Sequence, residues 1–200
     1  MAMAMLTPAV RRRLIAAVYL GVAAAIWWTA KGTGLYVDRE LLQLNNQAKD
    51  FGLPRLDGNE QTLSALANRD NVVWIIFGRT DDKPSRIQLN EARTIAEDYR
   101  EFENLRILFL ANGQSAEEIN EFVKAEGSAA MILLDKGGIT ARRYKATTWP
   151  TSYIVDQSRT IRGGHRGVWR AHDRQLNKLL RTYLLDGPGR SVSPGLGGMP

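Results

Sequence analysis

The stretch VVWIIFGRTDDKPSRIQLNEA, Val72 to Ala92, decides the fold. Val72 to Phe77 is an unbroken apolar run, the pattern of a strand buried on both faces. Asp82 then stands where a carboxylate can accept the free amides of a first helical turn. Pro84 suits that turn, because its fixed φ and missing N–H do no harm there. Ile87, Leu89, Ala92, Ile95, Ala96 and Tyr99 recur at helical spacing, which predicts a long helix behind Asp82. A buried strand running straight into a helix is the opening of an α/β unit.

The rest of the chain continues the alternation. Leu105 to Ala111 reads as a second buried strand. Ser115 and Glu118 form a capping box for a helix reaching Glu126. Met131 to Asp135 reads as a further strand, closed by Lys136-Gly137-Gly138. Tyr153 to Asp156 and Thr160 to Gly163 read as a hairpin around Gln157-Ser158. Leu176, Leu179, Leu180, Tyr183 and Leu184 give a helical apolar stripe. Strands alternating with helices, then a hairpin and a helix, predict a central mixed sheet flanked by helices. Gly137-Gly138 and Gly163-Gly164 lack the pattern of a phosphate loop and read as turns.

The N-terminal segment carries a membrane signal. Arg11, Arg12 and Arg13 precede Leu14 to Ala30, which holds no charged residue. That length is at the short end of a spanning helix, about 17 residues. Tyr19, Trp27 and Trp28 suit a membrane interface, and the arginines favour a cytoplasmic N-terminus. The expected organisation is a cytoplasmic N-terminus at 1–13, a transmembrane anchor at 14–30 and a juxtamembrane connector at 31–47. A folded domain follows at 48–186 and a flexible, glycine- and proline-rich tail at 187–200. Leu35, Leu41, Leu42 and Leu44 of the connector are compatible with a short helix. The alternative is a signal peptide cleaved after Ala23-Ala24-Ala25. Either way the domain is exported, to the periplasm or outside of a bacterial inner membrane, so nucleic acid is not an expected partner.

Charge is distributed unevenly. The formal net charge is +6, and from Lys136 to Arg181 there are eleven Lys/Arg against two acids, Asp156 and Asp173. Such a surface attracts acidic protein or anionic headgroups. Arg170, Arg174, Lys178 and Arg181 recur at helical spacing opposite the leucine stripe, with Arg166 preceding them. They are the expected binding stripe. The chain has no cysteine. Disulfide staples and cysteine-ligated metal are therefore excluded.

Several pieces in this order resemble the thioredoxin-like superfamily, in particular the TlpA/ResA-type thiol–disulfide oxidoreductases related to AhpC/TSA proteins. Ala48-Lys49-Asp50-Phe51-x-Leu53 with Leu56-Asp57-Gly58 is similar to that family's first strand and turn. Thr62-Leu63-Ser64-Ala65-Leu66 is similar to its short L-S-x-L segment. Phe122-Val123-Lys124 and Ile132-Leu133-Leu134-Asp135 match its later helix and strand. Trp149-Pro150-Thr151-Ser152-Tyr153-Ile154-Val155-Asp156 matches the segment whose proline is cis and faces the redox site. Gly164-His165-Arg166-Gly167 resembles the closing G-H-x-G. The resemblance covers about Ala48 to Leu185 and implies a thioredoxin-like sandwich.

The same resemblance places a C-x-x-C-R sequence on Thr80 to Arg86. Asp82 falls at the first cysteine and Ser85 at the second. Disulfide exchange needs a thiolate, which neither residue supplies. The expectation is a redox-inactive domain with no catalytic residues, no cofactor and no metal. It binds protein as an accessory or assembly subunit of a membrane protein complex, or binds an acidic exported protein. The groove at Trp149, Pro150 and Thr151 offers an edge for an extended peptide. Two alternatives stay open: an enzyme with a non-thiol site around Asp81, Asp82 and His165, or a chaperone in cytochrome or oxidase maturation. Ser85 has no recognisable base nearby in sequence, and neither His165 nor His172 lies in a nucleophile motif.

Overall fold

The structure is a computed structural model, and it describes residues 41–67 and 70–185. The expected anchor at 14–30 and tail at 187–200 lie outside the described residues. Among the described residues, no helix is long and apolar enough to cross a membrane.

Two short strands, β1 (Gly52–Pro54) and β2 (Glu60–Thr62), pair antiparallel and lead into a single helical turn, α1 (Leu63–Leu66). β3 (Val72–Gly78) is buried throughout, as its unbroken apolar run predicts. It feeds α2 (Lys83–Asp98). Next come β4 (Leu105–Asn112) and α3 (Ala116–Glu126), whose Ser115–Glu118 capping box is formed. β5 (Met131–Asp135), α4 (Ile139–Arg143), β6 (Thr151–Val155), β7 (Ile161–Arg166) and α5 (Arg174–Leu185) complete the order.

The main sheet runs β5-β4-β3-β6-β7. β3, β4 and β5 are parallel, and β6 and β7 are antiparallel additions. Period-two alternation along β3 divides the core into two layers. Trp74 and Ile76 face α2, α3 and α5, packing with Leu89, Ile95, Ile119 and Leu180. Val73, Ile75 and Phe77 face the opposite layer, with Phe51, Leu63, Tyr144 and Tyr153. This is the expected mixed-sheet sandwich.

Two local expectations are corrected, and one further element was not expected. Residues 41–47 form no helix. Leu41 is buried, the Asn45 amide donates to the Ile161 carbonyl at 2.8 Å, and Gln47 bridges Thr160. The connector's end is therefore packed onto the β7 margin. Gly163 and Gly164 are not a turn but the middle of β7. A Cβ at Gly163 would lie 2.5 Å from Leu179 Cδ1 and 3.1 Å from Trp169 Cη2, so glycine lets α5 sit close to the strand. Finally, α4 was not foreseen after Gly137-Gly138. Asp135, the last residue of β5, accepts the Thr140 and Ala141 amides at 3.3 and 2.8 Å and so starts that helix.

Candidate functional site

Strand register gathers the site. Phe77 pairs with Thr151, Gly78 with Ala111, and Asn112 with Asp135. The C-terminal ends of β3, β4 and β5 therefore meet the start of β6 at one edge of the sheet. Loop 79–82 emerges there beside Pro150, whose peptide bond with Trp149 is cis.

Asp82 is the N-cap of α2. Its Oδ2 accepts the Ser85 amide at 2.9 Å and the Ser85 hydroxyl at 2.7 Å. Ser85 Oγ in turn accepts the Arg79 amide at 3.3 Å. The two positions aligned with cysteines are thus joined by a hydrogen bond. Ser85 is 0% exposed, so its hydroxyl is sealed from solvent. The arrangement caps a helix and closes a loop.

The loop around this pair is held on all sides. The Thr80 amide donates to Gln114 Oε1 at 2.8 Å, and Gln114 Nε2 donates back to Thr80 Oγ1 at 2.9 Å. Arg79 forks onto Asp81 through bonds of 2.8 and 2.6 Å. That guanidinium holds the Asp81 carboxyl below the usual carboxylate range. Arg79 also reaches the Asn112 carbonyl at 3.2 Å. Gly78 makes room for the arrangement, since a Cβ there would lie 2.8 Å from Ser85 Oγ and 2.9 Å from Phe109 Cε2.

His165 belongs to another network. Its ring stacks on Trp169 with centroids 5.2 Å apart. Burial lowers its pKa below the ordinary histidine value, against a hydrogen bond to the Val168 backbone and the charge of Asp173. Trp169 is clamped by Gln88 of α2, which accepts the Trp169 amide at 2.6 Å and donates to its carbonyl at 3.2 Å. Asp81, Asp82 and His165 do not form a group able to hold a metal ion, and no such group of three occurs among the described residues. The three are instead occupied as ion-pair partner, helix cap and stacking partner.

The basic stripe is corrected in its extent. α5 begins at Arg174, because Asp173 accepts the Gln175 and Leu176 amides at 2.8 and 3.0 Å. Arg170 therefore precedes the helix. It pairs with Glu91 at 2.7 Å, and Glu91 also accepts the Ala171 amide at 2.8 Å. Burial opposes the Glu91 charge, but these two bonds outweigh it and hold its carboxyl below its usual value. Arg166 lies in β7 and reaches the Lys145 carbonyl at 3.5 Å. Of the five stripe residues, Arg174, Lys178 and Arg181 lie on α5, and all three are exposed.

Gln88, Glu91 and Gln114 escaped the sequence reading. Gln88 did carry a signal. It lies one turn beyond Ser85 on the helical face that also holds Ala92 and Ile95, where a polar residue demands partners.

The sequence profile of the AhpC/TSA family matches residues 44–163. Thioredoxin-like protein YneN of Bacillus subtilis (strain 168) is 28% identical over 128 residues, which are 64% of this chain and 74% of that protein. Thiol-disulfide oxidoreductase ResA of Bacillus anthracis is 24% identical over 124 residues, 62% of this chain and 70% of that one. Among solved structures, a thiol:disulfide interchange protein of the thioredoxin family from Chlorobium tepidum TLS superposes with a TM-score of 0.59 at 15% identity. It covers 72% of this chain and 98% of its own. StoA of Bacillus subtilis gives 0.54 at 17% identity, covering 66% and 97%. At these identities the two structures share the fold. With the family profile spanning more than half of its length, the chain belongs to the AhpC/TSA family, among its TlpA/ResA-type thioredoxin-like members.

Proposed function

We propose that this chain is a redox-inactive thioredoxin-like domain, exported and held to a bacterial inner membrane by residues 14–30, that binds protein as an accessory or assembly subunit of a membrane complex. One observation carries the reading: the hydrogen bond from Ser85 Oγ to Asp82 at 2.7 Å, where the family's reaction needs two thiols. The surrounding scaffold is intact, from the buried sheet to the cis proline and the capped helix. A retained scaffold without its nucleophile favours binding over turnover.

The experiment has two arms. In an insulin-reduction assay the purified protein should give no rate above the buffer blank, and a measurable rate would overturn redox inactivity. From detergent-solubilised native membranes the full-length chain should bring down a stoichiometric membrane protein. Its recovery alone, across mild detergents, would overturn the subunit role. Protease protection of the domain in right-side-out spheroplasts would overturn the proposed orientation.

A further inference from the structure

We infer that the open cleft between the ends of β4 and β5 and the helix α4 receives an acidic, partly apolar peptide segment of the partner. The inference rests on the protein-binding reading above and names the surface that would serve it. The cleft has a volume of about 310 Å³, and its lining includes Asn112, Lys136, Gly138, Arg142, Thr147 and Trp149. It adjoins the cis-proline segment only through Trp149 and is otherwise built from different loops.

Gly138 shapes its floor. This residue has φ +62°, and a Cβ there would lie 2.6 Å from Asn112 Oδ1, so any side chain would strike the wall.

Charge selects the occupant. Lys136 and Arg142 line the cleft, and Arg143 and Lys145 stand exposed on and just after α4. No acid occurs between Lys136 and Val155 in the sequence. Among the described residues none of these four cations lies in an ion pair, and Lys136 is within electrostatic reach of Glu117. Arg142 spends one N–H on the Gly137 carbonyl at 3.0 Å and has others to offer. The nearby Asp135 is buried and its oxygens accept the amides of α4, so it makes no ion pair with the rim.

Apolar surface selects a peptide over a small anion. Ile139 is 59% exposed, the most exposed large hydrophobic side chain among the described residues, and it leans against Gly137 at the cleft margin. Trp149 is half-buried within the lining. An aromatic wall, an exposed aliphatic side chain and arginines together match the composition of protein-binding hot spots. Carboxylates of the segment would meet Lys136 and Arg142, while one apolar side chain would rest on Trp149 and Ile139.

The test is selection of a phage-displayed library of random short peptides on the full-length chain in detergent micelles. Recovered peptides are then synthesised with a fluorescein label for anisotropy. Acidic sequences with an apolar residue should be enriched. Their affinity should fall about tenfold in Lys136→Glu, a variant that leaves the Arg142–Gly137 bond in place, and should weaken as salt rises. Ile139→Ser should weaken binding as well. Melting temperatures of all variants should match the parent. Arg174→Glu/Lys178→Glu on α5 should bind normally. Absence of acidic enrichment, or peptides indifferent to the cleft variants, would overturn the inference. So would a peptide lost only in the α5 variant, or displaced equally well by a single-stranded oligonucleotide. Peptide capture without any co-purifying complex would instead leave the cleft standing and remove the subunit role.

Discussion

Replacing Asp82 by alanine tests whether the Asp82–Ser85 bond joins the two cysteine-aligned positions as a structural unit. The carboxylate accepts both the Ser85 amide and the Ser85 hydroxyl. Loss of the cap alone costs about 0.5–2 kcal/mol. The hydroxyl, sealed in the interior, would also lose its acceptor, a further penalty of about 1–3 kcal/mol. Asp82→Ala should therefore destabilise by about 2–4 kcal/mol. Urea unfolding followed by far-ultraviolet circular dichroism would read this as a midpoint lowered by about 1 M or more, for a slope of about 1–3 kcal/mol/M. The decisive comparison uses Ser85→Ala as background. There the hydroxyl is already gone, so adding Asp82→Ala should cost only the cap, at least about 1 kcal/mol less than in the parent. Equal cost in the two backgrounds would refute the coupling. A single-variant shift within the roughly 0.5 kcal/mol of ordinary surface changes would refute the cap itself.

Gly78→Ala should destabilise by about 1–3 kcal/mol, because its methyl would meet Ser85 Oγ at 2.8 Å and the ring of buried Phe109 at 2.9 Å. An unchanged urea midpoint would contradict that packing. Gln88→Leu removes both bonds to the Trp169 backbone. The Trp169 amide should then exchange with deuterium markedly faster while most β3 amides stay protected, and unchanged Trp169 exchange would refute the clamp. His165 has a folded-state pKa below its unfolded value of about 6.5, so the unfolded chain takes up the proton first as pH falls. Its contribution is full above about pH 6.5 and is lost below it, down to the folded pKa. His165→Gln should flatten the melting temperature over that window, and an unchanged slope would assign the effect to other groups. Restoring both cysteines, Asp82→Cys with Ser85→Cys, should yield an intramolecular disulfide on oxidation, visible as loss of both free thiols. Thiols that remain free under oxidant would show that the loop no longer holds the geometry of a redox pair.

Much of this architecture was legible because its signals are local. An apolar run, a cap and a helical period within Val72–Ala92 suffice for β3 and α2, and Asp82 caps α2 as its position implies. The start of α5 was less legible. Arg170, Arg174 and Lys178 keep a four-residue step whether or not the helix has begun. Only the Asp173 carboxylate, turned onto the Gln175 and Leu176 amides, fixes the boundary. Gly163-Gly164 misled for a related reason. The pair is a turn by propensity, but the approach of Leu179 and Trp169 needs glycine within a strand. The Gln88–Trp169 and Thr80–Gln114 pairs join residues far apart in sequence, so no local pattern can announce them. The basic cleft is hidden in the same way, because Asn112 and Trp149 meet only through the β4–β5–α4 arrangement.

The margins of the main sheet bear on how a partner can attach. At one side Arg55 bridges Leu133 of β5, and at the other Gln47 bridges Thr160 while Asn45 and Asn46 bond the backbone of Ile161. Both outermost strands therefore already have main-chain company over part of their length. An open strand edge is a template that accepts any extended polypeptide, including a second copy of the same chain. Here that sequence-blind mode of attachment is curtailed, and discrimination falls to side chains on the faces and loops. On the proposed protein-binding role, partner choice could then be retuned one surface residue at a time without reopening the sheet.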